Sequence, residues 1–355
     1  MENYLIKTEF DEDLKMLLKK SRLNFLCGAG ASFFSVDGHL SFPLMSDLVE
    51  YIQDNSELSG KINGIKETNI IRKCYEKYLN GKKNVEEFLS SLEGLINYPM
   101  SVDKVNEINE IISLTKKLIL ERMFKSDESI GKEVYSEFYK KLLAFNEDKE
   151  ENFKRINVFT TNYDMLNEIS LEELNIHYFS GFYGLKKRKF NAAFYNYSYS
   201  DDMNLNTRNY LVKKDHVNLY KIHGSLSWKI EDDQLLEVQD YEKNSEPVII
   251  YPSHTKYNNT NLIVYYSTLM REFLNQISKE QTTLISIGFS YSDEHINKLI
   301  ESALTIDSFT LVALLYSDED LTKFKKAFPN SKNAVIYKGD ISTLTKFTSF
   351  MSELA

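Results

Sequence analysis

The sequence predicts an α/β fold: a parallel sheet covered by helices on both faces and interrupted by a large all-helical insertion. Short apolar runs recur at 23–27, 156–160, 219–222, 248–251, 283–288, 309–315 and 334–337, and several are followed by helix-period stretches. That alternation is the pattern of a parallel sheet buried on both faces. Between 44 and 150 strand signals nearly vanish, while 47–52, 70–79, 85–96, 105–124 and 134–145 place apolar residues at i, i+3, i+4 with charged faces. The expected organisation is a nucleotide-binding sheet domain from 1–43 and 151–355, divided by a helical insertion at 44–150.

In chain order, 12–20 (EDLKMLLKK) has helical spacing, and 23–27 then reads as a buried strand running into GAGAS at 28–32. Strand, glycine turn and helix start follow one another there. Glycines let a backbone approach a pyrophosphate closely, and a helix N-terminus offers N–H groups to an anion. The other reading is that the glycines serve only the geometry of the turn. A third glycine is missing, because Phe33 and Phe34 follow Ser32, and no obvious ribose-binding acid sits about 20 residues on in a second strand. An ordinary dehydrogenase fits this pattern poorly.

The run FTTNYD at 159–164 falls where a parallel strand should end, the edge at which α/β sheets bind ligands. Asn162 is uncharged and both donates and accepts, which suits it to hold a ribose hydroxyl and a water. Alternatively, Asn162 and Asp164 cap a helix at 165–170. In LYKIHGSLSW at 219–228, His223 ends an apolar strand before Gly-Ser, and an imidazole there suits general-base work. Trp228, the only tryptophan, reads as packing. The last such stretch is IGFSYSD at 287–293, where Ser290 and the turn amides face a ribose or phosphate, or Ser292 or Asp293 merely caps the next helix. The Tyr-, Asn- and Phe-rich stretch 179–217 has no clean period and reads as a lid or a long surface loop.

Composition narrows the class. With 42% hydrophobic and 27% charged residues and only 5 Pro, the chain reads as folded throughout. A formal charge of −9 argues against direct nucleic-acid binding. Lys186-Lys187-Arg188-Lys189 is a local exception, read as a solvated loop or as a basic arm for a nucleotide phosphate or acidic partner. Two cysteines, Cys27 and Cys74, allow neither a disulfide framework nor a four-ligand zinc site, so no metal is expected. Neither a membrane span nor a signal peptide is apparent, and a cytoplasmic location is the expectation.

Taken together, GAGAS, TTNYD, KIHGS and IGFSYSD in this order resemble the sirtuin superfamily, over roughly 12–43, 153–180 and 217–340. The closer resemblance is to bacterial sirtuin-like NADases of anti-phage defence, such as those of Thoeris and of two-gene systems with a HerA-type ATPase. The resemblance implies a Rossmann-like, sirtuin-like sheet that takes NAD as substrate. Gly28, Ala29, Gly30 and Ser32 would line the pyrophosphate. Asn162 would hold the nicotinamide ribose and the attacking water, with Thr161 beside it and Asp164 on the nicotinamide side. His223 matches the family's catalytic base, and Ser225, Gly288, Ser290 and Asp293 would serve the ribose and adenosine end. Protein-deacylating sirtuins carry two CxxC pairs, which this chain does not contain, so water is the expected acceptor of the ADP-ribosyl group. A catalytically quiet NAD or ADP-ribose sensor is the alternative, followed by an NAD-dependent protein deacylase. An enzyme that empties a cell of NAD needs a trigger, hence the expectation of a partner ATPase and of homo-oligomers.

Overall fold

The computed structural model describes residues 4–36, 39–40, 42–66, 69–82, 84–125, 128–150, 153–201, 211–213, 216–244, 246–249, 260–329 and 331–354. The chain divides into two units: one from Met1–Ser32, Ser129–Ile249 and Val264–Ala355, the other from Phe33–Glu128 and Ile250–Ile263.

The first unit is built on eight strands: β1 (Ile6–Lys7), β2 (Arg22–Cys27), β3 (Ile156–Thr160), β4 (His177–Phe179), β5 (His216–Lys221), β6 (Thr282–Ile287), β7 (Phe309–Leu315) and β8 (Ala334–Lys338). They form one sheet in the order β1-β8-β7-β6-β2-β3-β5-β4. Every neighbouring pair is parallel. All residues of β3, β5 and β6 are buried, which explains why none of them shows the apolar–polar alternation of a half-exposed strand. From β2 the chain builds β3, β4 and β5 on one side, then crosses to place β6, β7 and β8 on the other. The order therefore reverses between β2 and β6, the kind of crevice in which open α/β sheets hold nucleotides.

Register brings the sequence motifs together. Cys27 pairs with Thr160 and with Ile287, and Thr160 pairs with Lys221. The last residues of β2, β3, β5 and β6 are thus level, and 28–32, 161–164, 222–228 and 288–293 all leave the same C-terminal edge.

The helix Glu128–Glu147, which the sequence places inside the 44–150 insertion, falls from Ser129 onward in the sheet unit. Its Phe138 meets Phe25 of β2 edge-on at 5.3 Å. GAGAS does not start a helix as expected. Only a single 3-10 turn, Ala29–Ala31, follows β2.

The aromatic stretch 179–217 is more ordered than an irregular loop, although 202–210 and 214–215 lie outside the described residues. Phe182–Tyr183, Arg188–Phe190, Gln234–Glu237 and Trp228–Glu231 make a four-stranded antiparallel sheet. The basic run is engaged there: Lys187 pairs with Glu231 and Arg188 with Glu237, each at 2.7 Å, while Lys186, Lys187 and Lys189 stay exposed as the solvated reading expects. Trp228 is 1% exposed and packs against Phe182, as its reading as a packing residue requires. Of the expected strand at 248–251, Val248–Ile249 is a strand and 250–251 lie outside the described residues.

The second unit is helical: Met45–Gln53, Ser56–Gly64, Ile70–Tyr75, Val85–Ile96 and Val102–Phe124, with a short hairpin of Ser35–Val36 and His39–Leu40. Apolar stripes explain its packing, with Leu48, Ile52, Phe88, Leu92, Ile111 and Leu118 all buried. Asn55 and Asn84 cap helix starts by accepting from Leu58 N (2.9 Å) and Glu87 N (3.0 Å). Periodicity passes over Ser56–Gly64, whose Gly60 and Gly64 lower its helix propensity. No helix among the described residues is long and apolar enough to cross a membrane.

Candidate functional site

The glycine loops after β2 and β6 touch backbone to backbone. Gly28 N donates to Ile287 O at 2.9 Å and Gly30 N to Gly288 O at 3.0 Å. A Cβ on Gly28 would overlap Gly288 O, and one on Gly288 would overlap Ala31 N. Gly288 also has φ +61°, where a side chain is strained. The glycines thus meet a geometric demand whatever else they do. The expected set of free amides is reduced, since Ala31 N and Ser32 N also donate within the turn, to Gly28 O and Ala29 O. Ala29 and Gly30 keep their exposed faces, while Gly28 and Ser32 are buried.

Asn162, 3% exposed, is fixed against this loop. Its Nδ2 donates to Gly28 O at 2.9 Å and Ser32 Oγ at 2.8 Å, and its backbone N donates to Thr160 Oγ1 at 3.0 Å. Ser32 Oγ lies 2.9 Å from Tyr135 OH. Both amide hydrogens of Asn162 are committed, so its Oδ1 is the group with capacity to accept. The helix Leu166–Glu173 has Met165 as its N-cap, without a side-chain cap, and of the two expected caps only Asp164 reaches its start, its Oδ1 accepting from Leu166 N at 3.1 Å. Burial raises the Asp164 carboxyl above its ordinary range, partly offset by Lys221, Ser32 and backbone amides. Thr161 is half-buried and donates its backbone N–H to Cys27 O at 3.0 Å.

His223 lies two residues beyond the end of β5 and is buried. Its Nε2 is 3.0 Å from Asp293 Oδ2. The other Asp293 oxygen accepts from His295 N (2.8 Å) and Ile296 N (3.2 Å), capping the helix Glu294–Ala303. Asp293 therefore does two things at once, capping and holding the imidazole. A carboxylate only accepts, so Nε2 carries the proton of this bond, which leaves Nδ1 as the nitrogen facing away from Asp293.

Ser225 and Ser290 differ in their surroundings. Ser225 is fully buried, with its Oγ 3.1 Å from Ser227 Oγ and 3.4 Å from Met165 Sδ. The Gly224–Ser225 turn pairs with Val248–Ile249, and Gly224 has φ +89°. Ser290 is exposed and donates to Ser292 Oγ at 3.2 Å.

A buried ion pair lies beside these residues. Lys221, the last residue of β5, meets Glu168 of Leu166–Glu173 at 2.9 Å, with side chains 1% and 3% exposed. Its ammonium also donates to the carbonyls of Asp164 and Tyr163. Burial raises the Glu168 carboxyl, and Lys221 opposes that. The signal was present as a lysine inside the apolar run LYKI. Among the described residues no group of three or more His, Cys, Asp or Glu is placed to hold a metal. Cys27 is fully buried, and burial, followed by Asp164, pushes its thiol up to about 12.

This geometry, a parallel sheet with a polar constellation at its switch point, defines a nucleotide-binding α/β protein. The SIR2-like domain model matches residues 156–337, just over half of the 355-residue chain, and the chain belongs to that family. Membership ties the chain to NAD. No curated protein matches it.

Proposed function

We propose that this chain hydrolyses NAD, cleaving the nicotinamide–ribose bond to give nicotinamide and ADP-ribose. The observation that carries this reading is the register that sets Asn162 and His223 each two residues beyond level strand ends, on adjacent strands, beside the glycine loops of the switch point. Adjacent strands lie about 4.8 Å apart, a separation that a ribose bridges.

NAD would lie over Ala29 and Gly30 with its pyrophosphate, Gly28 and Ser32 shaping the turn beneath. Breaking the glycosidic bond leaves an oxocarbenium-like ribose, which asks for positioned dipoles more than for a covalent nucleophile. His223 Nδ1 would accept a proton from a ribose hydroxyl, with Asp293 holding the ring. Asn162 Oδ1 would accept from the attacking water, with Thr161 and Asp164 on the nicotinamide side. Gly288 and Ser290 face the remaining ribose, and Ser225 acts through the turn. Water rather than an acyl-lysine is the acceptor in this reading, because two cysteines cannot build the two CxxC pairs of a deacylase zinc module. We further propose that the activity is held in check in homo-oligomers and released by a partner ATPase, in the manner of the anti-phage systems the sequence resembles.

The test is incubation of the purified chain with NAD, nicotinamide and ADP-ribose being followed by chromatography beside Asn162→Ala and His223→Ala. Loss of a general base is expected to slow release by about 10²–10⁴-fold with NAD binding retained. NAD binding without turnover, alone and with the partner ATPase, would replace hydrolysis by the sensor reading.

A further inference from the structure

The opposite edge of the sheet holds a polar cluster that plays no part in this chemistry. Arg22 opens β2, Arg155 immediately precedes β3, and Lys279 lies just after the helix Thr260–Ile277. Together with Asn24, Asn157 and Gln276 they line a cavity of about 20 Å³. Three of the six lining residues are cations and none is an acid.

Beneath them runs a polarised amide ladder. Asn24, Asn157 and Asn218 are in register on β2, β3 and β5. The Tyr195 carbonyl, which only accepts, takes a hydrogen bond from Asn218 Nδ2 at 3.3 Å. The same amino group donates to Asn157 Oδ1 at 3.1 Å, and Asn157 Nδ2 donates to Asn24 Oδ1 at 2.8 Å. Each amide orients the next, so the ladder ends on Asn24 Nδ2 as a donor. Asn24 is 0% exposed and that amino group has no hydrogen-bond partner among the described residues. Gln276 Oε1, the nearby acceptor, is occupied by Lys279 Nζ at 2.5 Å. A buried donor without an acceptor is costly, and a ligand oxygen would relieve it. The Lys279 ammonium is held below its ordinary range by desolvation first, then by Arg155 and Arg22, with Glu272 offsetting this in part. Like charges gathered in this way are relieved by an anion.

We propose that this pocket is an anion site that takes one oxyanion group, a phosphate or a carboxylate. One ligand oxygen accepts from Asn24 Nδ2, and Arg22, Arg155 and Lys279 neutralise the group. A site for a single water-sized atom needs roughly 10–15 Å³, so one oxygen enters and the rest of the group stays at the mouth beside the exposed Lys279.

The probes are inorganic phosphate and acetate, with chloride at matched ionic strength, added to the whole chain while thermal unfolding is followed. Phosphate or acetate is expected to raise Tm saturably. Arg155→Met and Lys279→Gln should each weaken the apparent affinity about 10-fold or more, the worth of one charge-assisted hydrogen bond. Lys279 lies on the exposed rim, so its variant keeps the fold. An equal rise in the wild type and both variants would move the anion to another place, the glycine loops included, and overturn the proposal. It also fails if chloride does as well, or if no saturable rise occurs, which would leave water as the occupant.

Discussion

At the C-terminal edge of the sheet Lys221 meets Glu168 at 2.9 Å and His223 meets Asp293 at 3.0 Å. At the N-terminal edge Arg22, Arg155 and Lys279 line one cavity with no acid among its lining residues. Lys149 extends that second pattern: its buried ammonium donates to Leu18 O (2.8 Å) and Ser21 O (2.6 Å), just before β2. The contrast separates two uses of buried charge. A pair with opposite partners holds side chains in one geometry, which a reacting site needs. Cations gathered around an amide ladder instead repel one another: after desolvation, Arg155 and Arg22 further lower the ammonium of Lys279.

The comparison breaks most sharply at Lys221. Lys221→Met would leave Glu168 buried without its partner, expected to cost about 3–5 kcal/mol in urea unfolding. Replacing both, with Glu168→Leu added, should recover most of that. Equal losses in the single and double variants would mean that the pair is not what the region depends on.

A smaller effect is expected at Asp293. Asp293→Asn can still cap Glu294–Ala303 but no longer requires the Nε2–H tautomer of His223. Nicotinamide release should fall by about 10–100-fold, or roughly 1.4–2.7 kcal/mol, with stability nearly unchanged. Asp293→Ala should add a cap loss of about 1 kcal/mol in unfolding. If both variants lose stability alike and keep their rate, Asp293 is a cap only.

The smallest effect concerns Lys149, which burial pushes down to about 7. Its folded value lies below the ordinary 10.5, so between these limits the unfolded chain binds more protons and stability rises with pH. Lys149→Met should flatten the rise of the urea midpoint across that window. An unchanged slope would assign the dependence to other groups.

Legibility followed locality. The runs 156–160 and 309–315 have the same bounds as β3 and β7, because a buried parallel strand is an uninterrupted apolar run. The helix 85–96 was equally plain from its 3.6 period. The four-stranded antiparallel sheet was not legible: Phe182–Tyr183 and Arg188–Phe190 are too short to show alternation, and the second of them is held in the sheet by Leu236 and Glu237, about 50 residues away. At the site, the motifs holding Asn162 and His223 could be singled out from residue chemistry. Asp293 was noticed as a cap or a ligand contact, yet its bond to an imidazole 70 positions away left no mark in the local pattern.

By itself the sequence determined the long buried strands, several of the helices and the short polar runs that end the strands, since hydrophobic period and turn chemistry act over a few residues. Only the tertiary structure decided that Cys27, Thr160, Lys221 and Ile287 stand level, that Gly28 packs on Gly288, and that three asparagines form one ladder. Register is set by packing summed over the whole sheet, and a single step of slip would turn each strand's side chains to the opposite face.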